Sequence, residues 1–253
     1  MQKSLGVREV FSIATGAMIG SGFFLLPGIA YAQAGPAVIL AYFLAAVLIV
    51  PTLLSTTEVA TAMPRSGGTY FSVSRSIGVA AGVMDGLGAW VAMLAKCSFA
   101  LVGIGFYVAM VTGWPAEGEV DLFAKVLGVG IAVILAAVNI RGAKESGKMQ
   151  TVLVAGLLLL CGGFIFAGAG KVDVFRLAPF FSKGFAPVIA TVGLVFVSYA
   201  GLTKVASVSE EVVNPEKAIP RGMFLSLAVT SALYAVSYTH LRAHETVLDL
   251  VCR

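Results

Sequence analysis

Long runs without a charge leave this chain few ways to fold. Residues 10–33 and residues 37–57 contain no Asp, Glu, Lys or Arg, and most of their side chains are apolar. Roughly 20 such residues cross the hydrocarbon core of a bilayer as a helix. A helix or a closed barrel is required there, because lipid offers no water to backbone amides. Further spans fall at residues 78–113, which carry Asp85 and Lys96, and at 126–140, extended outward by 122–125. Others fall at 149–170 and 184–203, and a seventh starts at Gly222. Composition agrees: 12% of residues are charged and 58% are hydrophobic, where a soluble domain has about 25% charged. This excludes a water-soluble globule, a disordered chain and a nucleic-acid binder. Cys97, Cys161 and Cys252 are too scattered for a disulfide framework or a zinc site. Residues 10–33 are too long for a signal-peptide core, and no small-residue cleavage site is followed by a soluble domain.

The net charge of +4 is unevenly placed. With a cytoplasmic amino terminus, Lys3, Arg8, Arg65, Arg75, Arg141, Lys144, Lys148, Lys217 and Arg221 fall inside. Only Lys125, Lys171, Arg176 and Lys183 fall outside, and the outer loop 114–121 is acidic. Basic residues concentrate on the cytoplasmic side of membrane proteins, so the sequence predicts a multi-pass chain in the cytoplasmic membrane with its amino terminus inside.

Two spans depart from a plain apolar helix. In the first, Thr15-Gly16-Ala17-Met18-Ile19-Gly20-Ser21-Gly22-Phe23-Phe24-Leu25-Leu26-Pro27 places three glycines and a serine at mid-span. In the sixth, Phe196-Val197-Ser198-Tyr199-Ala200-Gly201-Leu202-Thr203 places small and polar residues at the same depth. Each glycine costs a helix about 1 kcal/mol relative to alanine. One reading is a small-residue packing face formed by Gly16 and Gly20. The other is a pair of broken helices. Glycine-interrupted spans at corresponding places in two halves point to a transporter binding site built on an inverted repeat. A break exposes amides on one half-helix and carbonyls on the other, which suits the carboxylate and ammonium of a small zwitterion.

These residues also carry a family resemblance. The run from Gly16 to Phe24 resembles the first-helix signature of the amino acid–polyamine–organocation (APC) transporters. Glu58 followed by Pro64-Arg65-Ser66-Gly67-Gly68-Thr69-Tyr70 is similar to the family's second-helix end and inner loop. Asn139, Arg141-Gly142, Lys144 and Ser146-Gly147-Lys148-Met149-Gln150 are similar to its fourth-to-fifth loop. The run from Glu210 to Arg221, with Asn214-Pro215 at its centre, is similar to the loop after its sixth helix.

The resemblance implies an all-α integral membrane protein: the amino-terminal part of a five-plus-five inverted-repeat, LeuT-like fold with discontinuous helices 1 and 6. It implies that the amides of Ser21 and Gly22, with Gly20 beside them, receive a substrate carboxylate. The carbonyls of Met18, Val197 and Ala200 would receive the amino group, with Ser198 nearby. The function implied is secondary transport of an amino acid or related amine by alternating access. An amine or polyamine exchanger of the same fold, and an inactive truncated fragment, are the alternatives. A channel or receptor would need a pore stripe or an ectodomain, and a membrane enzyme a nucleophile or metal cluster. No such pattern stands in the sequence. No cofactor or metal site is expected; between proton and sodium as coupling ion, and on oligomeric state, the sequence does not choose.

Lys96, in mid-span, costs about 2.5–3.5 kcal/mol on insertion scales, so it is expected to face protein or a wet cavity. A role at the substrate or in coupling and a role as a polar anchor stand equal. Asp85, roughly 16 Å along the same helix at 1.5 Å per residue, is too far to pair with it. Asp85 and Glu58 are better explained as interface anchors. Some family members carry a fifth-helix lysine linked to proton coupling; residues 149–170 hold no charge.

Residues 236–253 break the pattern. Val236-Ser237-Tyr238-Thr239-His240-Leu241-Arg242-Ala243-His244-Glu245-Thr246 resembles the translation of a transposase-type sequencing adapter, and Leu250-Val251-Cys252-Arg253 that of the arm following it. The expectation is a partial permease domain over residues 1–235 and a non-native tail over 236–253. Both histidines belong to that tail.

Overall fold

The computed structural model describes residues 3–24, 26–65, 67–113, 120–140, 143–168 and 180–241. These are almost wholly helical. In chain order they form α1 (Val7–Phe24), α2 (Leu26–Ala34), a 3-10 turn (Gly35–Ala37) and α3 (Val38–Ala62). There follow α4 (Thr69–Ser76), α5 (Val79–Thr112), α6 (Val120–Ile140) and α7 (Ala143–Gly168). Last come α8 (Phe185–Tyr199), a 3-10 segment (Ala200–Glu211) and α9 (Pro215–Leu241).

Five helical stretches among the described residues are long and apolar enough to cross a membrane: Leu26–Ala62, Val79–Thr112, Val120–Ile140, Phe185–Glu211 and Pro215–Val236. α1 is less apolar because Arg8 and Glu9 sit in its first turn, and α7 contributes a shorter apolar stretch, Lys148–Gly163. Several boundaries differ from those read between charges. Residues 10–33 are two helices, α1 and α2. α7 begins at Ala143 rather than Met149, so Lys144 and Lys148 lie in its first turns. α9 begins at Pro215 rather than Gly222. Asn214 takes a left-handed φ of 52°, a conformation asparagine tolerates better than most residues. Its carbonyl accepts the amides of Lys217 and Ala218, each at 3.0 Å. Pro215 then fills the first helical position, where its missing amide costs nothing. α9 runs on through Leu241, past Ala235, and the remainder of the expected tail lies outside the described residues.

The chain divides into two compact units: residues 1–68 with 150–253, and residues 69–149. In the first, α1, α3, α8, α9 and the 3-10 segment lie against one another. Ala37, Ala41, Ala45, Ile49 and Leu53 recur every four residues and are buried, while Phe43, Val47 and Leu54 face outward. The three alanines of this buried row let neighbouring helices approach closely. Lipid tails are as apolar as leucine, so helices associate through close packing rather than through escape from water.

In the second unit α4 folds back on α5 over two glycines. A Cβ at Gly82 would overlap Ser74, and one at Gly86 would lie 3.1 Å from the Tyr70 ring. Thr69 donates its hydroxyl to Asp85 Oδ2 at 2.6 Å. Asp85 therefore fastens the start of α4 to α5. At about 1.5 Å per residue α5 far exceeds the roughly 30 Å hydrocarbon core, which leaves Asp85 room at headgroup level. Further along, Gly105 crosses the Ala124 backbone and Gly128 faces Leu101, bringing α5 and α6 close. Lys96 is half-buried on α5.

Candidate functional site

The glycines of α1 differ in what surrounds them. At Gly16 a Cβ would lie 3.0 Å from the Gln150 amide nitrogen and from Val154, so Gly16 is a packing glycine against α7. At Gly20 nothing among the described residues outside its own helix lies within 4 Å of the Cβ position. Its dihedrals, φ −26° and ψ −117°, leave the helical basin and kink α1. A packing face therefore accounts for Gly16 and leaves Gly20 without a contact to explain it. Ser21 and Gly22 follow directly, in the last turn of α1.

The sixth-span segment meets α1 just before that kink. α8 ends at Tyr199, and the chain tightens into the 3-10 segment from Ala200. This winding has about 3.0 residues per turn and poorer hydrogen-bond geometry than an α-helix. A Cβ on Gly201 would lie 2.4 Å from both C and O of Ala17 and 2.7 Å from N of Met18. Backbone thus touches backbone at this crossing, and only glycine permits it. Met18 and Ala200 are brought together by this contact.

The nominated groups are unevenly disposed around it. Met18 is fully buried, and its carbonyl accepts the Tyr234 hydroxyl at 2.9 Å. The Ala200 carbonyl accepts the Thr203 hydroxyl at 2.9 Å. Each of these carbonyls thus already accepts a side-chain hydroxyl. Ser198 is buried, whereas the Val197 side chain is 58% exposed and turned away from the core. One turn before the kink, the Thr15 hydroxyl is fully buried and has no hydrogen-bond partner among the described residues. Lys96 belongs to the other unit. No group of His, Cys, Asp and Glu among the described residues could hold a metal ion.

Sequence reasoning passed over a tyrosine cluster. The rings of Tyr42 and Tyr234 lie 4.9 Å apart, and those of Tyr199 and Tyr234 meet edge-on at 5.4 Å. All three are fully buried, and the Tyr199 hydroxyl donates to the Tyr42 carbonyl at 3.4 Å. Together they join α3, α8 and α9 behind the α1 kink. The available signal was chemical: a phenol at mid-span needs an acceptor, and a kinked helix nearby supplies one. Tyr234→Phe keeps the ring and removes the donor to Met18. It is expected to cost about 1 kcal/mol and to lower the melting temperature of the purified permease by about 2–4 °C. An unchanged melting temperature would show that the bond adds nothing to stability.

Comparison with known proteins agrees with this architecture. The amino acid permease family model matches residues 9–243. An uncharacterised transporter of Mycobacterium tuberculosis is 32% identical over 238 residues, covering 93% of this chain and 52% of the relative. A branched-chain amino acid permease of Bacillus subtilis is 28% identical, covering 92% of this chain and 53% of the relative. A methylthioribose transporter of the same organism is 29% identical with the same coverage. The chain spans about half the length of these curated relatives. The apolar helices and the match over most of the chain describe a multi-pass integral membrane protein of the permease class, not an enzyme. The chain belongs to the amino acid permease family.

Proposed function

We propose that the permease carries amino acids, or closely related amines, across the cytoplasmic membrane by alternating access, with its amino terminus inside. The observation that carries this reading is the crossing of Gly201, at the start of the 3-10 segment, over the Ala17–Met18 backbone just before the kink at Gly20. In this reading the amides of Gly20, Ser21 and Gly22 receive the substrate carboxylate, since amides at the start of a half-helix attract anions. The carbonyls of Met18, Val197 and Ala200 receive the ammonium, with Ser198 beside them. Relatives of similar identity are named for a branched-chain amino acid and for methylthioribose, so overall likeness does not choose the substrate. The chemistry at the two breaks supports the zwitterion.

The test uses the full-length permease carrying this sequence, reconstituted in proteoliposomes. Labelled leucine should be taken up. Isoamylamine, which is leucine without its carboxylate, should compete about tenfold less well or worse, given 1.5–3 kcal/mol for a hydrogen bond to a charged group. Equal competition by the two would remove the carboxylate from the site and overturn the assignment.

A further inference from the structure

Read between charges, the sixth span ends at Thr203, but the helical winding does not stop there. It continues as the 3-10 segment to Glu211, and the stretch able to cross a membrane runs from Phe185 through Glu211. Just beyond, Val212 pairs with Leu5 in an isolated parallel bridge, at the end remote from the kink. Lys204 therefore lies inside the stretch, roughly 14 Å short of Glu211 at 2.0 Å per residue. It is the only charged residue in 184–209, and residues 10–57, 149–170 and 222–241 hold no Asp, Glu, Lys or Arg.

The winding fixes which way Lys204 points. Side chains three residues apart eclipse one another in a 3-10 helix, so Gly201, Lys204, Ser207 and Glu210 share one column. The column starts where Gly201 meets the Ala17–Met18 backbone. Further along it, the Ser207 hydroxyl lies 3.1 Å from a Cβ placed on Gly68. All four members are only partly buried, whereas Leu202, Val205, Ala206 and Ser209 pack inward. On α1, Ala17 and Gly20 are partly buried too, while Met18 and Ile19 between them are fully buried. The partly open side of the crossing gives Lys204 the wet surroundings that an ammonium at membrane depth requires.

Resting on the transport reading, we infer that Lys204 is a specificity-determining residue that excludes substrates of net positive charge. It stands three residues, roughly 6 Å, beyond Gly201, on the side of the carbonyls proposed for the substrate ammonium. A zwitterion has no net charge and meets little net repulsion there. A cationic amino acid or a polyamine brings at least one charge that no carboxylate offsets. At about 10 Å and an effective dielectric of about 20, two like charges oppose each other by roughly tenfold in binding. The substrate class is therefore neutral amino acids.

The test compares norleucine with ornithine, whose side chains are alike in length and differ in charge, as competitors of labelled leucine in proteoliposomes of the full-length permease. Both keep the carboxylate, so only side-chain charge varies. Norleucine should compete about tenfold better than ornithine or more. Equal competition against the unmodified protein overturns the inference without any variant. In Lys204→Met and Lys204→Gln the preference should fall by about tenfold, and Lys204→Arg should retain it. An unchanged preference in the two neutral variants would make Lys204 a polar anchor only. Loss of leucine uptake in both, kept in Lys204→Arg, would place the charge in the transport step and overturn selection. If the unmodified protein takes up no leucine, the transport reading itself has failed, and selection falls with it.

Discussion

Gly20→Leu is expected to leave the permease folded and to reduce uptake about tenfold or more. Among the described residues nothing outside its own helix lies within 4 Å of a Cβ placed at Gly20, so the added side chain starts in open space and α1 keeps its contacts with α9. The effect arises in the backbone. Leucine favours a helix over glycine by roughly 0.8–1 kcal/mol, and it draws φ −26°, ψ −117° back toward the helical basin. A straightened α1 would direct the Ser21 amide to the Ala17 carbonyl and the Gly22 amide to Met18, following the i to i−4 pattern. Both donors proposed for the substrate carboxylate are then consumed, and the leucine side chain occupies the space beside them. Losing even one hydrogen bond to a charged group is worth 1.5–3 kcal/mol, about 10- to 150-fold in binding. Gly88→Leu is the control. It is an exposed α5 glycine with equally open surroundings, and the substitution should preserve both the elution profile and uptake. Uptake by Gly20→Leu equal to this control would remove Gly20 from the site.

The spans are legible in the sequence because lipid leaves a charge-free run so few conformations. Their ends are not. Charges mark where the chain meets water, and a helix can continue beyond that point, as α7 does back to Ala143. Nor does counting apolar residues register where one helix gives way to the next, which is why α1 and α2 read as one span. The functional glycines expose the same limit. Gly16, Gly20 and Gly201 are alike as letters, yet one packs on a side chain, one bends in open space and one lies against backbone. That sorting is set by neighbours far along the chain, at Gln150 for the first and Ala17 for the last. The role of Tyr234 is invisible for the same reason, since its acceptor lies 216 residues away. The position of Asp85 on its helix separates it from Lys96, but its bond to Thr69 depends on α4 folding back over Gly82 and Gly86.

Gly201→Ala reverses the pattern expected at Gly20: a single methyl group should destabilise the protein before any substrate is added. The added carbon would stand 2.4 Å from C and O of Ala17 and 2.7 Å from N of Met18, well inside ordinary contact. These are backbone atoms in the helical part of α1, so no rotamer change clears them. The segments must separate, loosening Leu202 and Val205 from the core and straining the bond from Tyr234 to Met18. Overpacking of this kind costs about 1–3 kcal/mol, and at roughly 2–4 °C per kcal/mol the melting temperature should fall by about 2–12 °C. Gly193→Ala, on α8 with nothing among the described residues outside its own helix within 4 Å of the Cβ position, should match the unmodified protein. A melting temperature for Gly201→Ala equal to that of Gly193→Ala would disprove the close approach of the two segments. Ala17→Gly distinguishes the cause. It removes a side chain and leaves the clashing carbonyl in place, so it should not rescue Gly201→Ala. Rescue would mean that the conflict lies between side chains, and that the backbone contact between α1 and the 3-10 segment is not what holds the kinked pair together.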